Sequence, residues 1–166
     1  MKINIIEEYL INLDINDSFF DSLKKDYNNF LEWFNRKALE GRKCFVTYYD
    51  NGKISSILIL KEEYENENYN NFYKSFDNDK RLKICTFKVD NMGFGIGEYY
   101  LYIIYKKVLE NKISEIYVTV YPKYANLINF FIKYGFSLYT INDNKELVLV
   151  KDMRKYLKNN SKIKKI

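Results

Sequence analysis

Apolar residues recur at helical spacing through one early segment and alternate, or run together, in most of the others. In NDSFFDSLKKDYNNFLEWFNRKALEGRK (residues 16–43), Phe19, Phe20, Leu23, Tyr27, Phe30, Leu31, Phe34 and Ala38 fall on one face. The spacing predicts a helix capped by Asn16 or Asp17 and ended at Gly41. Before it, residues 2–13 predict a first strand. CFVTYYD and KISSILILKEE flank Asn51-Gly52, which predicts a hairpin with a type I′ turn. Residues 64–80 are polar and aperiodic and predict a surface loop. RLKICTFKVD (81–90) reads as a strand, 97–111 as a helix, ISEIYVTVY (113–121) as a strand and 123–134 as a helix stopped by Gly135. FSLYTI and ELVLVKD form a last hairpin around Asn142–Asn144.

Strands 81–90 and 113–121 enclose a helix, so they pair in parallel through a right-handed crossover. The other pairs are hairpins. The fold class is α/β, as a mixed α+β sheet with helices on its faces. At 166 residues the chain makes one domain over 1–153, followed by a basic tail at 154–166.

Charge changes the picture only at the end. The net charge is +5, and from Lys151 onward seven basic residues face one acid, Asp152. The body is therefore close to neutral. The tail has no period able to bury a face and reads as open to disorder; it is either solubilising or a contact for a polyanion such as RNA. No apolar run reaches the ~20 residues that span a bilayer, and no leader opens the chain, so the expectation is a cytoplasmic protein without membrane contact. Cys44 and Cys85 sit singly inside strand-like runs and read as reduced core thiols. Histidine is absent. That excludes a Ser–His–Asp triad, a Cys–His dyad and every zinc site with a histidine ligand, and no metal is expected.

The candidate chemistry lies in VDNMGFGIGEYY (89–100). Gly93, Gly95 and Gly97 alternate between a strand and a helix. Glycines let backbone N–H groups converge on an anion, and a helix start adds a positive dipole end. A P-loop would need Lys and Ser/Thr after the last glycine, where Glu98 stands. A dinucleotide fingerprint needs another spacing and an earlier strand.

Met92-Gly93-Phe94-Gly95-Ile96-Gly97 resembles the Gln/Arg-x-x-Gly-x-Gly/Ala loop of the GNAT superfamily of acetyl-CoA-dependent N-acetyltransferases, with Met92 in place of the polar residue. LINFFIKYGF (127–136) is similar to the family's aromatic helix ending in Gly-Phe. The likeness covers about 81–152 and extends more loosely to the early helix, as in a bacterial subgroup. It implies a mostly antiparallel central sheet with one parallel pair, and acetyl-CoA as co-substrate. It places the pantetheine arm and the oxyanion on the backbone at Phe87, Lys88 and Val89. The diphosphate falls on Met92, Gly93, Phe94, Gly95, Ile96, Gly97 and Glu98, with the Glu98 side chain turned outward. The family's helix asparagine falls on Tyr124, leaving Asn126 and Asn129 nearby for the cofactor. Its acid tyrosine falls on Phe131, which leaves Tyr134 one turn on. Glu62 and Glu63, at the end of the third strand, are the candidate bases. The acceptor is a primary amine on a small molecule, a protein or an aminoacyl-RNA, and a homodimer is open. The alternative is a catalytically degenerate GNAT-fold module that works through a protein or RNA partner.

Overall fold

The computed structural model describes residues 3–163, with side chains through residue 158. One seven-stranded sheet has the order β1-β2-β3-β4-β5-β7-β6. Its strands are β1 (Ile6–Tyr9), β2 (Lys43–Tyr48), β3 (Ile54–Glu63), β4 (Arg81–Val89), β5 (Glu115–Val120), β6 (Ser137–Ile141) and β7 (Leu147–Asp152). The helices are α1 (Asp21–Asp26), α2 (Phe30–Leu39), α3 (Ile96–Asn111), α4 (Ala125–Lys133) and α5 (Arg154–Ile163). β4 and β5 form the expected parallel pair, in register from Arg81–Glu115 to Ile84–Val118. By contacts the chain divides into two compact units, 1–59 with 86–100, and 60–85 with 101–166.

In the first unit β1 and β2, and β2 and β3, pair antiparallel. The early helix is not continuous. Asp17 accepts from Phe19 N–H at 2.9 Å and starts a 3-10 turn over Ser18–Phe20; α1 follows, and the chain leaves helical geometry at Tyr27 before α2 begins. The break resets the helical phase. Phe19, Phe20, Phe30 and Phe34 remain core, but Leu31, expected on the apolar face, is 46% exposed. Asp17 also accepts from Ile54 N–H at 2.9 Å, so one carboxylate caps the turn and anchors the start of β3.

The hairpin at Asn51-Gly52 forms with a different turn. Tyr49 and Lys53 close it through Tyr49 N–H to Lys53 C=O, and Gly52 N–H donates to Tyr49 C=O. Only Gly52 in it takes positive φ, +84°. A type I′ turn needs positive φ at both central residues, so this is a three-residue loop with glycine in the left-handed position. Beyond it, β2 slips register between Thr47 and Tyr48. There the buried hydroxyls of Thr47, Ser55, Ser56 and Tyr100 bond to one another, Ser56 to Tyr100 at 2.6 Å.

In the second unit β5 pairs with β7, and β7 with β6, both antiparallel. Residues 64–80 carry no regular element but do more than cover the surface. Tyr69, Phe72 and Phe76 are buried against Tyr117, Val148 and Val150. Arg81, 1% exposed, stands over the Phe76 ring at 4.2 Å and donates to Glu115 at 2.8 Å, to Asp77 and to the Asp77 carbonyl at 2.7 Å. Removing a buried ion's partner costs about 3–5 kcal/mol. Arg81→Ala should sit at the low end, ~3 kcal/mol, because Arg154 lies 3.5 Å from Glu115 and takes up part of its charge. Urea denaturation measures this; a loss below ~1 kcal/mol would contradict it.

The basic segment begins with α5, and Arg154 ties the start of that helix to Asp79 at 2.9 Å. Residues 164–166 of that run lie outside the described residues. Among the described residues no helix is long and apolar enough to cross a membrane, and no cluster of His, Cys, Asp or Glu is arranged to hold a metal.

Candidate functional site

The glycine loop follows β4 directly. Asp90 N–H donates to Ser55 C=O at 2.8 Å, which fixes where the strand ends. Gly93 and Gly95 then take φ of +91° and +70°, a region that penalises every L side chain. A Cβ on either would meet nothing within 4 Å. Backbone conformation therefore demands glycine here, and the space beside the loop is open. Gly97 differs: it lies inside α3 and needs no positive φ. The first bond of α3 runs from Tyr99 N–H to Gly95 C=O at 3.1 Å, so the N–H groups of Ile96 and Gly97 belong to the turn before it. Open space beside a glycine loop and a helix start with unpaired N–H groups suit an anion such as the diphosphate of coenzyme A.

The side chains around the loop sort clearly. Ile96 is buried and pins α3, Met92 is 74% exposed, and Phe94 and Glu98 are exposed. Phe87 packs edge-on against Tyr100 at 5.8 Å. The Lys88 ammonium donates to Phe19 C=O and to Ser22 Oγ at 2.8 Å, over the Phe19 ring, and lies 3.9 Å from the Asp90 carboxylate at the start of the loop. Asn91 carries a signal the sequence did not reveal: it is buried, and its side-chain carbonyl has no hydrogen-bond partner among the described residues. An unsatisfied buried acceptor costs about 1–3 kcal/mol, so the loop holds its shape against that cost.

In the second unit, the residues expected to meet the cofactor or to move protons fall into two groups. Asn126 and Asn129 are exposed on α4, and Tyr134 is half-buried at its end. The Tyr134 carbonyl accepts from Lys151 Nζ at 2.7 Å. Phe131 is fully buried, with ring centroids 5.0 Å from Phe136 and 5.6 Å from Phe130.

Glu62 and Glu63 are neighbours on one strand, so they face opposite sides. Glu63 is 4% exposed and accepts from the Tyr117 hydroxyl, from the Tyr69 hydroxyl at 3.0 Å and from Lys61 at 3.1 Å. Three donors already hold it. Glu62 is half-buried, and accepts from Asn111 Nδ2 at 2.5 Å and from Tyr64 OH at 2.8 Å. The two carboxylates line a cavity of about 190 Å³ with Tyr64, Lys80, Arg81, Asn111 and Ile113.

Burial, then the Glu63 charge, pushes the Tyr69 and Tyr117 hydroxyls well above the usual phenol range. Tyr100 is raised by burial, and burial with the Glu8 and Glu7 charges raises the Cys44 thiol to about 12. Raised folded-state values mean that these protons stay on the native chain. The unfolded chain releases them above roughly pH 9–10. Stability is therefore full below that range and is lost as pH rises, by about 1.4 kcal/mol per pH unit for each group. Denaturation midpoints measured from pH 8 to 11 should fall ever more steeply; a flat profile would contradict the burial of these groups.

No protein-family model matches the chain, and no curated protein matches it in sequence. Solved structures do match in fold. The PaiA N-acetyltransferase from Thermoplasma acidophilum, solved with coenzyme A, is 14% identical at a TM-score of 0.63, over 92% of this chain and 99% of that one. Naa20 from Chaetomium thermophilum, solved with a bisubstrate analogue, is 14% identical at 0.63, over 93% of this chain and 89% of that one. A GNAT-family acetyltransferase from Listeria monocytogenes is 16% identical at 0.59, over 89% and 94%. The strand order, the parallel β4–β5 pair and these matches agree: the chain has the fold of the GNAT N-acetyltransferases.

Proposed function

We propose that the protein transfers an acetyl group from acetyl-CoA to a primary amine. The observation that carries this reading is the glycine loop, whose two left-handed glycines open onto the first turn of α3 at the end of β4. The diphosphate rests on loop N–H groups between Gly93 and Gly97, and the pantetheine arm follows the backbone of Phe87–Val89. Acetyl-CoA supplies a thioester whose acyl carbon accepts the amine. The chain's own chemistry is modest. It positions the reactants. The ammonium that must lose a proton has a free pKa near ~10. Glu63 is filled by three donors and does not take that proton; the amine reacts from its neutral fraction and the proton passes to water.

Phe131 has no proton to give, and its burial makes it part of the core. A thiolate with a conjugate-acid pKa near ~8.5 leaves without help, so transfer proceeds with water as the proton source. The same observation favours one rival, a module that binds coenzyme A without turnover. Release of coenzyme A thiol from acetyl-CoA, followed across a panel of small amines, amino acids and peptides, separates the two. Amine-dependent release supports transfer. Binding of coenzyme A with no release on any amine would contradict it.

A further inference from the structure

We propose that the cavity between the end of β3 and the start of β4 binds a free α-amino acid as its zwitterion. Of the four ions lining it, two are committed. Arg81 is taken by Asp77 and Glu115, and Glu63 by Tyr69, Tyr117 and Lys61. Glu62 and Lys80 are not. Glu62 receives two hydrogen bonds, from Tyr64 and Asn111, and a carboxylate has about four acceptor sites. Those two donors hold it in place while leaving room for an ammonium. Lys80 makes no ion pair among the described residues.

Tyr64 organises both charges. Its hydroxyl donates to Glu62 at 2.8 Å, and the Lys80 ammonium lies 5.8 Å from the centre of its ring. One negative and one positive group therefore stand around the same aromatic side chain. A ligand with a single charge would satisfy one and leave the other unpaired. An α-amino acid satisfies both, its ammonium toward Glu62 and its carboxylate toward Lys80. The volume, about 190 Å³, is below the roughly 300 Å³ where drug-sized pockets begin, so the ligand is small. Ile113 and the Tyr64 ring give its side chain an apolar wall.

The site stands on the cavity's own chemistry and does not depend on acetyl transfer, so it is tested without coenzyme A. The full chain is titrated calorimetrically with L-leucine, L-leucine methyl ester and N-acetyl-L-leucine. L-leucine should bind saturably, and each blocked analogue should bind more weakly by about tenfold, the loss of one charged contact. Lys80→Gln should weaken L-leucine while leaving the methyl ester unchanged. Glu62→Gln should weaken L-leucine and the ester alike, with both variants keeping the parent melting temperature. N-acetyl-L-leucine binding as tightly as L-leucine would reduce the site to an anion contact and overturn the proposal. Equal binding of the methyl ester, or no saturable binding, would overturn it too. Failure here leaves the thiol-release result standing, and failure of thiol release leaves this one.

Discussion

Phe131→Ala should cost the protein about 3–5 kcal/mol of stability, the range for removing a buried phenyl group. The side chain has no exposed surface, and Phe136 and Phe130 press on it from two sides. Its neighbours are rings fixed by α4 and by the chain after Gly135, so they cannot collapse into the space. Total stability for a domain of this kind is about 5–15 kcal/mol, so the variant should be marginal at best. The midpoint in urea should move with the slope unchanged, since the same surface is exposed on unfolding. Phe131→Tyr should cost less, about 1–3 kcal/mol, for a hydroxyl without a partner. If Phe131→Ala loses under ~1 kcal/mol, Phe131 is not core, and its place in the helix must be reassigned.

Gly95→Val should weaken coenzyme A binding by roughly 10–100-fold. Its φ of +70° costs a side chain about 1–3 kcal/mol, and valine is among the worst for it. No atom crowds the position, so the valine would shift the loop out of its binding shape rather than unfold the protein. Gly52→Ala supplies the control. It imposes similar strain at φ +84° in the hairpin turn. It should lower stability by ~1 kcal/mol and leave affinity for coenzyme A at the parent value. Equal affinity in Gly95→Val and the parent would remove the loop from the site.

The parts legible in the sequence are those where local chemistry decides alone. Gly93 and Gly95 could be read because only glycine takes left-handed φ cheaply. Gly41, Gly52 and Gly135 could be read for the same reason. The turn type at Asn51-Gly52 could not, because Tyr49 pairing with Lys53 sets the loop length from outside the dipeptide. Nothing in Asp26–Asn29 is a glycine or proline, so the break between α1 and α2 had no local sign. Tyr69, Phe72 and Phe76 looked like loop residues because their spacing fits no strand; they are core because Tyr117 waits beneath them. Glu62 and Glu63 face opposite ways, as neighbours on a strand do. Which one would be buried depended on tyrosines at positions 69 and 117, distant in sequence. Asn91 had no mark at all, since an orphaned carbonyl is visible only once its surroundings are built.

Acetyl-CoA binding to the unmodified chain tests the central claim most directly. Calorimetry at neutral pH should give one site per chain. At 100 times the dissociation constant, bound ligand should stabilise the fold by about 2.7 kcal/mol, which raises the melting temperature by roughly 5–10 °C. A melting temperature that stays fixed up to millimolar acetyl-CoA, with no heat of binding, would contradict the assignment of this fold to acetyl-CoA chemistry.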